Sequence, residues 1–403
     1  YSLSILNDEL EKKQLDKNDA LSSLYPVIGT AGNIQYKSEA PTLDLSTLGM
    51  PGGGTAELGT KYIFDFNINI NQILFDGFSR KYAILLSENS LNRKNREKIL
   101  KEDMLHQIIL KLSYSYTMSK LNLEVLSTSI KRLGFNLNQV KLFVDQGFAS
   151  ELDLLDIQSK LKELEQQRLN LESGKRKILL QLSNITGIND LDTLTIPPKY
   201  LELLDPDELG SLEEKLGANG ELSLFEFSRR QIELKKKMDN ASFYPSVSGT
   251  GAAHYGLPGT NLTGSDWQFY FTAGLQVQFN LWEGGRRSSM EKRNNLSLSQ
   301  NLKSRDSFYQ NLYFETMQNL DELVSLKDQR TAAVDIYDLK KKKYEIVGEL
   351  WKAGQKSTLD VLSAEQEFTE ADIREKSLRI QYLSLYQQIL FNINESMWEN
   401  NGD

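Results

Sequence analysis

The chain has 403 residues and a formal net charge of −8, a length that allows two or three domains and a charge that disfavours nucleic acid as its main partner. It has no cysteine, which removes any disulfide framework, thiolate chemistry or cysteine-based metal site. Only His106, in a helical stretch, and His254, in a Gly/Ala-rich strand, supply imidazoles. Both read as structural, so no catalytic residue, metal site or cofactor is expected, and no nucleophile, base and oxyanion-donor set or nucleotide fingerprint is found.

In chain order, Leu3, Ile5, Leu6 and Leu10 stand in helical spacing from the outset, so a lead-in helix over 1–24 is expected, its beginning already trimmed. Two strands follow, at about 25–36 and 62–75. The first is rich in small residues, and in the second Phe64, Phe66, Ile68 and Ile70 alternate with Asp65, Asn67, Asn69 and Asn71. Between them, Lys37 to Lys61 carries Pro41, Pro51 and Gly52-Gly53-Gly54. No GK[ST] follows and no helix opens there, so this is a flexible loop rather than a phosphate cradle.

No proline occurs from Gly77 to Ile196, which permits a long uninterrupted hairpin over 77–187. Leu126, Ile130, Leu133, Leu137, Val140 and Val144 step by four and three, and Leu154, Ile157, Leu161, Leu164, Arg168 and Leu171 do so after a break, which predicts antiparallel coiled-coil packing. Gly147 stops the first helix and Ser150 caps the second. From Gly77 to Gly147 the helix would be a rod of roughly 100 Å at 1.5 Å per residue. Residues 188–220, with Pro197-Pro198 and Asp205-Pro206, form a linker with a short helix over Ser211 to Leu216.

The sequence then begins again. A lead-in helix over 221–242 feeds strands at about 244–256 and 267–282 and a second hairpin over 284–396. In the last strand Phe269, Phe271, Ala273, Leu275, Val277, Phe279 and Leu281 alternate with Tyr270, Thr272, Gly274, Gln276, Gln278 and Asn280. The hairpin seam is Val361, Ala364, Phe368, Ala371, Glu375, Leu378, Tyr382, Leu385 and Ile389; Gly354 breaks it and Ser357-Thr358 caps the next helix. Phe75-Asp76-Gly77 returns as Trp282-Glu283-Gly284, Gly147 as Gly354 and Asp153-Leu154-Leu155 as Asp360-Val361-Leu362, all 207 residues on. Such a period is too long for a solenoid repeat and describes two halves of one body, 1–187 and 221–403.

The fold class is therefore mainly α with β, a tandem repeat of strand pair plus long hairpin. No segment approaches the 18 apolar residues of a spanning helix, so a bilayer is open to the chain only through a closed barrel. The strands suit one, with Phe64, Phe66, Ile68, Ile70, Phe271, Leu275, Val277 and Phe279 facing lipid and the polar set facing water. Tyr62, Phe75, Phe78, Tyr255, Trp267 and Trp282 stand at strand ends as an aromatic girdle would. A soluble sandwich alternates in the same way. Four strands cannot close a barrel, so a membrane reading requires several chains to share one.

Tyr25-Pro26 and Tyr244-Pro245 before each strand pair, Asn280 to Arg287 with its degenerate copy Leu74 to Arg80, and Gly354 to Leu362 at the second turn together resemble the TolC-like outer-membrane efflux proteins, over essentially the whole chain. The resemblance implies a homotrimer whose twelve strands form an outer-membrane β-barrel continuous with a periplasmic α-helical barrel, in a Gram-negative-type cell. It implies a non-enzymatic exit duct of a tripartite efflux pump or type I secretion system. The partners implied are a periplasmic adaptor protein, an inner-membrane transporter of RND, ABC or MFS type, and outer-membrane lipid.

It also implies a periplasmic gate at Asp153, Asp360, Trp351 and Lys356, with Gly147 and Gly354 at hairpin tips that contact the adaptor. Trp351 and Lys356 stand where the family has tyrosine and arginine, and Ser363 where well-known members have a second acid. Lysine pairs with carboxylate without arginine's planar fork, and indole donates but cannot accept. A cross-hairpin ion pair of Asp153 with Lys356 is expected; stabilisation of the helix dipole is the alternative role for both aspartates. The alternative function is a periplasmic adaptor, which typically carries one hairpin rather than two.

Overall fold

A computed structural model describes residues 2–40, 42–44, 54–57, 59–191, 194–201, 211–261 and 266–394. Residues 41, 45–53 and 58 of the first strand-to-strand loop, with Gly52 and Gly53 among them, and residues 202–210 of the linker lie outside that set, as does the end of the second hairpin beyond 394. The elements run α1 (Ser2–Ser22), β1 (Val27–Tyr36), β2 (Thr42–Asp44), β3 (Thr55–Glu57), β4 (Tyr62–Phe75), α2 (Ser79–Asp145), α3 (Glu151–Thr186), a 3-10 turn (Pro198–Leu201), α4 (Leu212–Gly217), α5 (Leu222–Ala241), β5 (Ser246–Leu257), β6 (Gln268–Gln278), α6 (Arg286–Lys352) and α7 (Thr358–Asn392). The chain is mostly helical with a small antiparallel sheet. It divides into two units, residues 1–98 with 224–304 and residues 99–223 with 305–403, so each unit draws on both copies of the repeat.

The first unit holds one four-stranded antiparallel sheet in the order β1-β4-β5-β6, in which the second copy's β5 pairs with the first copy's β4. Alternation places Phe66, Ile68 and Ile70 on the face they share with Tyr255, Ala253 and Gly251 of β5, which in turn face Phe269, Phe271 and Ala273 of β6. Small residues in β1 and β5 make room for β4. A Cβ on Gly32 would lie 3.1 Å from the Phe66 ring, and one on Gly251 would lie 3.1 Å from Ile70. That is why the partner strands look weak in sequence, since a bulky residue opposite Phe66 or Ile70 would overpack the pair.

β6 ends at Gln278, four residues before the expected boundary at 282. Phe279, assigned to the lipid-facing row, therefore lies beyond the strand. The side chain of Asn280 donates to Glu283 (3.0 Å), and Gly284 and Gly285 follow with φ of 60° and 81°, so the backbone leaves the ladder early to enter α6.

The first copy makes the same strand-to-helix turn at Asp76-Gly77-Phe78. Gly77 has φ 65°, and a Cβ there would come within 2.5 Å of the Ala241 carbonyl oxygen and 2.8 Å of Tyr244, so only glycine fits. Arg80 Nε meets Asp76 at 2.9 Å and Nη1 donates to the Ser23 carbonyl at 3.1 Å. These contacts tie the Asp-Gly turn of the first copy to the end of α5 and to the Tyr-Pro of the second copy.

In the second unit the expected seams are buried or half-buried. Leu126, Leu133, Val140, Ile157 and Leu164 share one core with Trp351, Val361 and Leu362. A second core joins Leu216 of α4 to Leu312, Leu323, Leu378, Tyr382 and Ile389 of α6 and α7. The linker's 3-10 turn is tied down separately: Tyr200 and Ile196 pack against Tyr114, Ile380 and Leu383, and the Tyr114 hydroxyl donates to the Tyr200 carbonyl at 2.7 Å. Among the described residues no helix is long and apolar enough to cross a membrane.

Candidate functional site

Two regions carry the residues singled out in the sequence, one in each unit. In the sheet, the apolar face is bare: Phe66, Ile68 and Ile70 are 47, 62 and 43 % exposed and Phe271, Leu275 and Val277 are 74, 74 and 66 % exposed, while Phe64 is half-buried. Aromatic rings gather at one end, where Trp267 lies 5.0 Å from Tyr255, 5.6 Å from Phe64 and 6.3 Å from Phe66, and Tyr36 lies 5.2 Å from Tyr62. Phe75 and Phe78 meet edge to face at 5.6 Å after the other end of β4.

The opposite face is a hydrogen-bonded ladder. Asn69 donates to Asn67 (3.1 Å) and Asn67 to Asp65 (3.0 Å). His254 Nδ1 lies 2.9 Å from Asp65, Nε2 lies 3.2 Å from the Thr272 hydroxyl, and the ring stacks on Tyr270 at 4.7 Å. The structural role expected for His254 is visible here as a cross-strand tie over β4, β5 and β6. Among the described residues the sheet thus has an uncovered apolar face and a polar face on which Asp65, Asn67, Asn69, His254 and Thr272 are linked across the strands. Among the described residues β1 and β6 each pair on one side only, leaving two ladder edges open.

In the second unit the two hairpin turns are built alike. Gly147 and Gly354 take φ of 75° and 73°, the left-handed conformation that ends a helix cheaply only at glycine. The Asp153 backbone N–H donates to Ser150 Oγ (3.2 Å), while Asp153 Oδ2 accepts from the Ser150 N–H (3.0 Å) and hydroxyl (2.6 Å). The Asp360 backbone N–H donates to Ser357 Oγ (3.2 Å), and Asp360 Oδ2 accepts from the Ser357 N–H (3.0 Å) and hydroxyl (2.9 Å). These are reciprocal capping boxes.

Each box holds its carboxyl below the usual pKa. For Asp153 the Ser150 hydroxyl is the main cause, helped by the Ser150 N–H and by the Thr358 hydroxyl of the other hairpin. For Asp360 the Ser357 N–H leads, followed by the Ser357 hydroxyl and the charges of Lys356 and Lys343. The expected cross-hairpin pair is not formed within the chain. Lys356 Nζ instead lies 3.9 Å from Asp360 on its own hairpin, because the i, i+4 spacing across the cap puts that carboxylate within reach while the capping box holds Asp153.

A cleft of about 600 Å³ separates the turns, lined by Phe143, Phe148, Asp153, Trp351, Lys356 and Thr358 among others. The structure thereby brings together three of the four expected gate residues and Gly354, leaving Asp360 and Gly147 off the lining. Trp351 borders the cleft but is only 4 % exposed, packed edge to face on Phe143 of α2 at 5.6 Å. Sequence reading missed Phe143 as its partner. It also missed the exposed apolar residues on the turns, Phe148, Leu152 and Leu359.

No family model matches the chain, and no curated protein matches it by sequence. Solved structures do. The outer membrane protein VceC of Vibrio cholerae is similar over 98 % of this chain and 93 % of its own, at 12 % identity and a TM-score of 0.78. The outer-membrane channel OprN aligns over 98 % of this chain and 87 % of its own, at 12 % identity and 0.80. The CmeC outer membrane channel of Campylobacter jejuni aligns over 98 % and 82 %, at 14 % identity and 0.77. The chain therefore has the fold of these outer-membrane channel proteins over nearly its full length.

Proposed function

We propose that this protein is a non-enzymatic outer-membrane exit duct of a Gram-negative-type bacterium. Three chains share one twelve-stranded barrel, and the hairpins form a periplasmic conduit that receives cargo from an adaptor and an inner-membrane transporter, in a tripartite efflux pump or a type I secretion system. The observation that carries the reading is the sheet, which among the described residues is apolar and bare on one face, polar and linked across strands on the other, and open at both edges. In lipid an open edge leaves backbone groups unpaired, so β1 of one chain must meet β6 of the next. The full-length likeness to channel proteins supports the same reading.

In this reading the cleft between the turns belongs to the gate, with Asp153, Lys356 and Trp351 at its edge and Asp360 beside it, and Gly147 and Gly354 mark the turns that meet the adaptor. The functional units are the two repeats, 1–187 and 221–403, with 188–220 as the joint.

Migration of outer-membrane extracts on semi-native gels tests the assembly. An unheated band of three chains that collapses to one chain on boiling is expected, and mass photometry in mild detergent should give the same trimer mass. Only monomers, or a protein released from cells without detergent, would remove the duct reading in favour of a soluble adaptor.

A further inference from the structure

The contact between the two hairpins is apolar along its main seam and carries a buried ion pair between α2 and α7. Glu365 of α7 is 1 % exposed, and its Oε1 accepts from the Ser129 hydroxyl (2.7 Å), Arg132 Nε (3.1 Å), Arg132 Nη2 (2.8 Å) and the Thr369 hydroxyl (2.9 Å). Arg132 Nη2 also donates to Thr369 Oγ1 at 3.1 Å. The guanidinium lies 4.7 Å from the Phe368 ring centre and 5.6 Å from that of Tyr344, and those two rings stack at 5.7 Å. One cation of α2 is thus held by three residues of α7 and one of α6.

The duplication does not explain this cluster. At the 207-residue offset the counterpart of Glu365 is Gln158, that of Arg132 is Leu339 and that of Thr369 is Lys162, so the charge pair exists once. The heptad seams, by contrast, exist in both copies. A seam of repeated apolar residues specifies its own register poorly, because a shift by one heptad restores similar contacts; a single buried polar group breaks that degeneracy. A buried ion pair often adds little net stability over an apolar pair of similar volume, whereas removing one partner strands a charge. Its value lies in which arrangement it permits.

We infer that the Arg132–Glu365 pair is a register lock: it positions the second hairpin against the first and so sets the width of the cleft between their turns. Arg132 acts as a positioning residue about 20 Å of helix back from the end of α2, at 1.5 Å per residue. The functional consequence, a defined closed state, rests on the duct reading; the lock itself does not.

The absence of native cysteine allows a clean test. Gln146→Cys and Ala353→Cys, exposed on opposite turns, carry spin labels, with labelled chains diluted in unlabelled ones. Distances are measured in the parent, in Arg132→Met/Glu365→Met and in Arg132→Lys. A narrow distribution is expected in the parent. The double methionine variant should melt close to the parent yet gain a broad or second, longer population, and lysine should restore part of the narrow one. A folded double variant as narrow as the parent would overturn the lock, because packing alone would then fix the register. Should that variant fail to fold, the near-isosteric Glu365→Gln decides in its place, a broadened distribution supporting the lock and a parent-like one overturning it. Single-channel recording of the parent separates the two readings: broadened distances with no channel in the parent keep the lock and remove the duct.

Discussion

α3 and α7 are the same element written twice, and beyond their first turn their surroundings diverge. Both begin with the same capping box after the same left-handed glycine. In α7, Val361, Leu362, Ala364, Phe368, Tyr382 and Ile389 are buried within the chain, while α3 buries Ile157, Leu164 and Leu182 and leaves Leu152, Leu155, Leu169 and Leu180 exposed. Leu155 is 59 % exposed and its counterpart Leu362 is 8 % exposed. Duplication kept what local physics requires, the turn and the cap, and released what depends on neighbours. Exposed leucines along a helix, one of them with a buried counterpart, form a surface awaiting cover, which in the trimer reading another chain supplies.

The largest effect should come from setting Leu362→Ala against Leu155→Ala. Truncation at Leu362 opens a cavity in a packed core and should cost about 2–5 kcal/mol in denaturant unfolding. Leu155→Ala should leave the fold of the chain intact and lower the temperature at which the oligomer dissociates on a semi-native gel. An oligomer as heat-resistant as the parent would remove this face of α3 from the interface.

The two faces of the sheet extend the contrast. Leu275→Arg should cost about 2–4 kcal/mol if that face meets the middle of a bilayer and should block assembly in outer membranes, whereas Gln276→Arg, its neighbour on the other face, should assemble normally. Equal damage from both would end the barrel reading.

Smaller still is the loss of a cap. Ser150→Ala and Ser357→Ala should each cost about 1 kcal/mol, and by the same amount, since the two boxes share one geometry. Thermal melts that rank them clearly apart would mean that one turn is held by contacts beyond its own box.

How far the sequence could be read follows the range of the interactions. The turns and caps were legible because Gly147, Ser150 and Asp153 act within a few residues of one another, and the seams because heptads repeat locally. The end of β6 was not, because the alternating pattern runs through Phe279 and Leu281 while the backbone has already turned at Asn280. Phe78 takes φ 72°, unusual for a bulky residue, and the only hint was its counterpart Gly285. The burial of Trp351 depends on Phe143 of the other hairpin, and the grip on Arg132 on Glu365, 233 residues away; no local pattern marks either contact.

The finest comparison is between the charges of the two turns. Asp153 has a depressed pKa in the folded protein, so its contribution to stability is complete above the ordinary carboxylate value and is lost as pH falls through the lowered one. The Asp360 box follows the same sign. Lowering the pH from 7 to 5 should therefore leave the turns unchanged, and loosening, read as increased conductance in planar bilayers, should begin only in more acid solution. At neutral pH, Lys356→Ala should have a small effect, as for an exposed and solvent-screened pair, because Lys356 lies at 3.9 Å from Asp360 and Ser150 already holds Asp153. Within one chain, then, Asp153→Ala and Lys356→Ala touch separate partners, and their effects on conductance should add. A double variant no leakier than the worse single one would reveal a pairing that the chain alone does not make, Asp153 of one chain with Lys356 of the next, and would move the ion pair from within a chain to the interface between chains.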